Sequence, residues 1–388
     1  MPGLDALLAD IGTLVRCESP SADLDAVAAS ADVVAALGER ILGAAPERIV
    51  LDGRTHLRWR FGTPRVLLLG HHDTVWPRGT LARLPFEIRE GIVRGPGCFD
   101  MKTGVVMALH AVAALSDREG VSILVTGDEE LGSPTSRALI EEEARLCAAA
   151  LVLEASGDGG ALKTARKGVS LYRVRVTGRA AHAGLEPEKG VNASIEAAGQ
   201  LLAVAGLGDR ARGTTVTPTL LSAGTTTNTV PAEAEFSVDV RVRSLAEQER
   251  VDAAMRALRP TVDGARILVD GGPNRPPMEE RSSAALLALA AEVAAGLGLP
   301  PVEGIAVGGA SDGNFTAGLG VPTLDGLGAV GGGAHAEDEH VVAARIPERT
   351  ALLTGIVAAL LSGAGTGTGT GIGTGTGFVR AVSGGGGR

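Results

Sequence analysis

Imidazole and carboxylate side chains recur in this chain directly after short apolar runs, and that placement restricts the possible folds more than any other feature. Four strings carry them: Gly70-His71-His72-Asp73-Thr74-Val75, Gly95-Pro96-Gly97-Cys98-Phe99-Asp100-Met101-Lys102, Gly127-Asp128-Glu129-Glu130-Leu131-Gly132 and Gly332-Gly333-Ala334-His335. Each supplies imidazole or carboxylate at a loop, and together they hold enough ligands for two metal ions.

The first part of the chain alternates strand-like and helix-like runs. Helical spacing covers Leu4 to Arg16 and Asp23 to Leu42, with Ser21 or Asp23 as caps. Strands are read at Arg65 to Leu69, Val121 to Thr126 and Leu151 to Leu153, and helices at Met101 to Leu115 and Thr135 to Glu143. This alternation predicts an α/β fold, a mostly parallel sheet with helices on both faces. Ligands of such folds collect beyond the carboxyl ends of the strands, where His71, Asp73, Glu129, Glu130 and Glu154 all fall.

The pattern changes near Gly168. Leu171 to Val176 alternates as a strand, a helix follows from about Gly190 to Ala205, then strands at Thr214 to Ser222 and Glu233 to Val242, then a helix from Leu245 to Leu258. A β-α-β-β-α-β, ferredoxin-like α+β layer inserted into the larger domain suits that order. The expected division is a catalytic domain at 1–167, an inserted domain at 168–280, a second catalytic segment at 281–362, and a Gly/Thr-rich tail at 363–388 with no apolar face to offset the entropy of ordering it.

Net charge is −9 and aromatics are only 2%, with no basic cluster, so nucleic acid is not an expected partner. No apolar run approaches the ~20 residues of a membrane span. The start lacks a basic leader region, and Cys17, Cys98 and Cys147 form no CxxC pair. Free thiols in a reducing cytoplasm are the expectation.

Each candidate residue has a plain structural alternative. In an extended segment residues i and i+2 point the same way, so His71 can meet a metal while Asp73 supports it from behind, and His72 points to the other side. A lone His-x-Asp pair is otherwise a structural hydrogen bond. Asp100 follows a Gly-Pro-Gly turn and can bridge two cations, or cap the helix that follows. Of Glu129 and Glu130, one can bind metal while its neighbour takes a proton from water; the alternative is a solvated acidic loop. Glu154 ends an apolar strand and His335 sits in a Gly-rich loop; either alone is compatible with a satisfied polar residue. The conjunction of donors in the order His, Asp, Glu, Glu, His, without thiolates, favours zinc or a similar divalent ion, and cobalt or manganese fit the same donors.

These strings, with Thr126-Gly127-Asp128-Glu129-Glu130 and Gly178-Arg179-Ala180-Ala181-His182-Ala183-Gly184, resemble the co-catalytic zinc metallopeptidases, the family of glutamate carboxypeptidase (carboxypeptidase G), acetylornithine deacetylase and succinyl-diaminopimelate desuccinylase. The resemblance runs from about residue 5 to 361. It implies two zinc ions per subunit held by His71, Asp100, Glu130, Glu154 and His335, with Asp100 bridging. It further implies Glu129 as general base, Asp73 as the residue orienting His71, and a cis peptide at Asp100-Met101. The inserted layer would be a lid and dimerisation domain that brings His182 to the carbonyl oxygen, within one chain or across a homodimer. Asn228, Arg241 and Arg275 match substrate-contacting positions of the carboxypeptidase G branch. A guanidinium's planar fork suits a free carboxylate, and a surface ion pair is the alternative for either arginine.

Glutamate at 154 is similar to the carboxypeptidases and deacylases, whereas the aminopeptidase and dipeptidase branches typically carry aspartate. The string His72-Asp73-Thr74-Val75-Trp76-Pro77-Arg78-Gly79-Thr80-Leu81 looks most like the glutamate carboxypeptidase branch. Glu154-Ala155-Ser156 departs from the Glu-Pro-Thr of many relatives. The expected activity is cleavage of an amide bond beside a free α-carboxylate in an N-acyl amino acid or short peptide. An N-acyl-amino-acid deacylase is the nearer alternative. An inactive metal-binding scaffold is disfavoured by the retained Glu129, and an aminopeptidase would need a group to hold a substrate ammonium.

Overall fold

The computed structural model describes residues 3–363. The tail expected to be disordered, 363–388, lies outside the described residues after its first position. A central six-stranded sheet runs in the order Glu47–Leu51, Arg54–Phe61, Val121–Thr126, Val66–His71, Ala149–Val152, Thr323–Leu324. The last four strands are mutually parallel. The first two form an antiparallel hairpin at one edge.

That hairpin is absent from the pattern reading because Arg54, Arg58 and Arg60 interrupt its apolar alternation. Its turn is nonetheless written locally: Asp52 and Gly53 both adopt positive φ, as a two-residue hairpin loop requires. Arg58 and Arg60 are tolerated at the sheet because both meet the fully buried Glu143 carboxylate, which Ser122 also donates to at 2.6 Å.

The all-buried strand Val66–His71 shows why two faces are covered. Val66 and Leu68 pack into a core with the helices Leu4–Val15, Leu24–Leu42, Thr103–Ala113 and Arg345–Leu361. Leu67 and Leu69 point the other way, onto Leu139, Ile140 and Ala144 of helix Arg137–Arg145 and onto Phe315. Each fully buried leucine contributes about 1.5–3 kcal/mol, so this strand is held from both sides. Asp23 caps the Leu24–Leu42 helix by accepting the Ala26 amide, as its sequence position suggests. The Asp100 capping alternative fails. Helix Thr103–Ala113 begins later than expected and has no side-chain cap, so the Asp100 carboxylate is released for other work.

Residues 168–275 form a separate four-stranded antiparallel sheet, ordered Thr215–Ala223, Glu233–Val242, Gly168–Thr177, Arg266–Arg275, with helices Ala193–Ala205 and Leu245–Arg256. This is the β-α-β-β-α-β layer. One face buries Tyr172, Val174, Val176, Phe236, Val238 and Met255 in a core of its own. Its fourth strand escapes sequence reading because Gly271, Gly272 and Pro273 break the alternation. Asn192 and Ser244 cap the two helices through their side-chain oxygens. Among the described residues, no helix is long and apolar enough to cross a membrane.

Helix Thr103–Ala113 approaches the sheet closely at Gly104, where an added Cβ would lie 2.1 Å from the Leu153 carbonyl oxygen. That backbone carries Glu154. Gly104→Ala is expected to cost about 1–3 kcal/mol as an overpacked site, read by urea denaturation, and to weaken whatever Glu154 binds.

Candidate metal centre

Three parallel neighbours deliver the first ligands. Val66–His71 lies between Val121–Thr126 and Ala149–Val152, so His71 ends the middle strand with Glu129 and Glu130 following one neighbour and Glu154 following the other. Parallel strands ~4.8 Å apart place their carboxyl-end loops side by side. Donor atoms of His71, Glu129 and Glu154 accordingly lie within 4.8 Å of one another, as do those of His71, Asp100 and Glu130.

Asp100 sits at the centre. Its Oδ1 is 3.3 Å from His71 Nε2 and its Oδ2 is 3.2 Å from His335 Nε2. Glu154 Oε1 approaches His71 Nε2 at 3.7 Å, and Glu130 Oε2 approaches His335 Nε2 at 3.2 Å. Two groups result, His71 with Glu154 and His335 with Glu130, sharing the two oxygens of Asp100. The buried atoms His71 Nε2, Asp100 Oδ1 and Glu130 Oε1 have no hydrogen-bond partner among the described residues. Buried polar atoms are rarely left so, and a mixed imidazole and carboxylate set suits divalent cations. The residues fit a pair of metal ions.

The backbone supports this arrangement. The Asp100-Met101 peptide is cis, as the resemblance implies, and Gly97 has φ +73° where a Cβ would meet the Thr74 side chain at 2.5 Å. His335 itself takes φ +63°, a conformation non-glycine residues avoid and that tends to mark functional sites. Asp73 is fully buried behind His71. Its carboxylate accepts the Ser21 hydroxyl at 2.6 Å and the amides of Glu129 and Glu130, each at 3.2 Å. His71 Nδ1 lies 3.0 Å from the Asp73 carbonyl and 3.4 Å from its carboxylate. One buried carboxylate thus orients the imidazole and the Glu129-Glu130 loop together. His72 points to the opposite side, onto the Thr55 carbonyl at 3.1 Å.

The acidic loop is not solvated. Asp128 is buried and accepts from the Thr135 and Ser136 hydroxyls, and Glu129 is 7% exposed. Burial pushes the Glu129 carboxyl well up, against the opposing pull of Arg275 and His71. Glu154 rises to about 7, through burial and then the Asp100 charge, with Arg166 opposing. Burial alone would also raise Asp73 and Asp100; the close approach of His71 to Asp73, and of His335 and His71 to Asp100, outweighs it and holds both below the usual range. The neighbouring Asp100 and Glu130 carboxylates raise His335 to about 10.

Other expected residues lie in different settings. Arg275 is buried beside Glu129, with its Nη2 2.8 Å from Glu129 Oε1, 2.8 Å from Ser133 Oγ and 2.9 Å from Asp312 Oδ1. Arg241 pairs with Asp239 of its own strand at 2.8 and 2.9 Å. His182 is exposed on a short ladder with Thr229, its Nδ1 accepting the Gly184 and Leu185 amides at 3.1 Å. Asn228 lies beside that ladder, its carbonyl accepting the Ala183 amide at 2.9 Å. Among the described residues, neither His182 nor Asn228 makes a hydrogen bond or ion pair with the His71–His335 cluster. Ser21, Arg166, Asp325, Asp312 and Glu339 support the site without any motif to mark them, except that Glu339 stands four residues beyond His335.

The sequence profile described as peptidase family M20/M25/M40 matches residues 67–359. Carboxypeptidase G2 from Pseudomonas sp. (strain RS-16) is 32% identical over 379 residues, covering 92% of this chain and 90% of that protein. A succinyl-diaminopimelate desuccinylase from Methylorubrum populi is 28% identical over 321 residues, covering 76% of this chain and 82% of its own. The aminopeptidase PepT structure from Bacillus cereus superposes with a TM-score of 0.71 at 21% identity, covering 92% of this chain and 99% of that one, and bears on the fold alone.

Burial lowers the His71 imidazole but Asp100 and Asp73 more than offset it, and Asp100 and Glu130 raise His335, so a cation would compete with protons at both imidazoles. Raised pKa values mean that the competing proton is lost only as pH rises. Zinc affinity is therefore expected to increase steadily from pH 6 to 8 with net proton release, measurable by calorimetry in buffers of different ionisation enthalpy. A pH-independent affinity without proton release would contradict the ligand assignment.

Proposed function

Because the chain belongs to peptidase family M20/M25/M40 and is a hydrolase, we propose that it uses two zinc ions to cleave an amide bond adjacent to a free α-carboxylate, releasing a C-terminal glutamate or similar amino acid. The observation that carries this reading is the division of the Asp100 carboxylate between His71 and His335, with the buried Glu129 beside it. His71, Glu154 and Asp100 would hold one ion, and His335, Glu130 and Asp100 the other. When bound, such a pair supplies the positive charge that acidifies water and polarises the scissile carbonyl.

The protein groups do the proton work. Glu129, in a water-poor pocket, accepts a proton from the attacking water and returns it to the leaving nitrogen as the C–N bond breaks. Arg275 holds the Glu129 carboxylate in place at 2.8 Å. His182 would stabilise the developing oxyanion once the inserted layer closes, with Asn228 near the scissile group and Arg241 as a carboxylate anchor. Arg275 would join that anchor only by giving up contacts to Glu129 and Asp312. Glutamate at 154 and the 32% identity to carboxypeptidase G2 support the carboxypeptidase reading. The desuccinylase relative supports a second one, deacylation of N-succinyl or N-acetyl amino acids by the same groups.

The inserted sheet supports a homodimer. Its edge strand Thr215–Ala223 has unpaired backbone groups on one side, and Leu171, Leu220, Leu221 and Leu268 are exposed. Equilibrium sedimentation finding only monomer would remove that part. Free Cys17, Cys98 and Cys147 suit a reducing cytoplasm.

Metal-depleted enzyme assayed on N-benzoyl-glutamate, glutamyl peptides, N-acetyl and N-succinyl amino acids, with and without zinc, tests the proposal. Zinc-restored release of glutamate is expected; cleavage confined to N-succinyl or N-acetyl substrates would transfer the assignment to the deacylase branch. Glu129→Gln is expected to lower kcat about 100- to 10,000-fold while retaining both metals. Near-normal turnover in that variant would remove Glu129 from its role.

A further inference from the structure

Glu339 has no ligand position in the centre, yet it is 3% exposed and saturated with donors from the segments that carry ligands. Its Oε1 accepts the amides of Phe99 at 2.8 Å and Asp100 at 3.1 Å. Its Oε2 accepts the Gly97 amide at 2.9 Å and the Trp76 indole N–H at 2.7 Å. Gly97 to Asp100 is the loop that presents the shared carboxylate, and Trp76 lies on the segment leaving His71 and Asp73. Glu339 itself follows His335 by four residues. One buried carboxylate therefore ties together three separate ligand-bearing segments.

We propose that Glu339 is a positioning residue for the metal centre, one that sets the distance between the His71 and His335 sides by clamping the loop of Asp100. The physical reason is geometric. A bridging carboxylate serves two cations only if its backbone is fixed. Apart from Glu339, the loop's amides bond within it, Cys98 to Gly95 and Lys102 to Gly97, while its side chains reach the Cys17 carbonyl through Lys102 Nζ at 2.7 Å and accept the His71 amide at Met101 Sδ at 3.4 Å. Long-range restraint on the loop's own amides, those of Gly97, Phe99 and Asp100, comes from Glu339, across 239 residues to Asp100. Charge-assisted hydrogen bonds from amides to a carboxylate are stronger than neutral ones, and here all four donors converge on a site shielded from water. A side-chain amide cannot replace the carboxylate. Whichever way the amide introduced by Glu339→Gln is flipped, its NH2 faces two donors.

The inference rests on the two-ion reading of the site, and the test separates the two. Zinc affinity is measured by chelator competition on wild type, Glu339→Gln, Glu339→Ala and Trp76→Phe, with circular dichroism and apo-enzyme melting as fold controls. Wild type binding no zinc would sink the two-ion reading itself. Expected is a loss of at least tenfold in affinity for one or both ions in Glu339→Gln and Glu339→Ala. The activity remaining at saturating zinc should have lowered kcat and a KM near wild type. Trp76→Phe, which leaves the three amide contacts in place, should lose less than threefold. Wild-type zinc affinity in either folded Glu339 variant overturns the proposal, as does a kcat unchanged at saturating zinc. Should Glu339→Gln fail to fold, Glu339→Ala, which sets no donor against the amides, carries the same decision.

Discussion

The carboxylates of Asp73, Asp100, Glu129 and Glu154 close around one fully buried imidazole, and compensating that negative charge is the constraint on which the rest of the molecule depends. Ionised groups drawn out of water are destabilising unless each meets an opposite charge or a donor. The centre meets this requirement in layers. Asp73 is neutralised by donors from Ser21, Glu129 and Glu130. Glu154 leans on Arg166, 3.4 Å away, which Asp325 in turn grips at 2.6 and 3.1 Å. Glu129 leans on Arg275, which Asp312 and Ser133 grip. Asp100 and Glu130 meet only the imidazoles of His71 and His335 in place of an arginine, and that is where cations fit.

The fold supplies this arrangement through strand adjacency. Because His71 ends the middle of three parallel strands, acidic loops flank it on both sides without any long excursion of the chain. The last strand of the inserted layer, Arg266–Arg275, ends in the residue that touches Glu129. The smaller layer thus reaches Glu129 through the Arg275 side chain, so relative movement of the layers would act on Glu129. His182 stands on, and Asn228 beside, a short ladder of its own in the inserted layer.

Supporting residues also divide by distance. Asp73 works locally, two residues from the histidine it orients. Glu339 works at long range, and its role is invisible without the tertiary contact, since Glu337-Asp338-Glu339 reads along the chain as an ordinary acidic surface run. Arg83 pairs with Glu337 at that surface, so neighbours in one run have unrelated duties.

Local chemistry determined much of this protein from the sequence alone. Apolar runs of strand length between helical periodicities point to a parallel sheet, with His71, Glu129, Glu130 and Glu154 at run ends and Asp100 and His335 at glycine-rich turns; the roles among them came from the family resemblance. Period also revealed the inserted layer up to its fourth strand, where glycine and proline erase alternation. Only the tertiary structure decided which strands are neighbours, and hence that Asp100 divides its oxygens between two histidines far apart in the chain. It alone decided that Arg275 sits on Glu129 while Arg241 pairs with Asp239, and that Ser21, Arg166, Asp325 and Glu339 belong to the site. The physical reason is that a buried charge is matched through space, by whichever partner packing brings within hydrogen-bond reach, and a one-dimensional pattern carries no record of that choice.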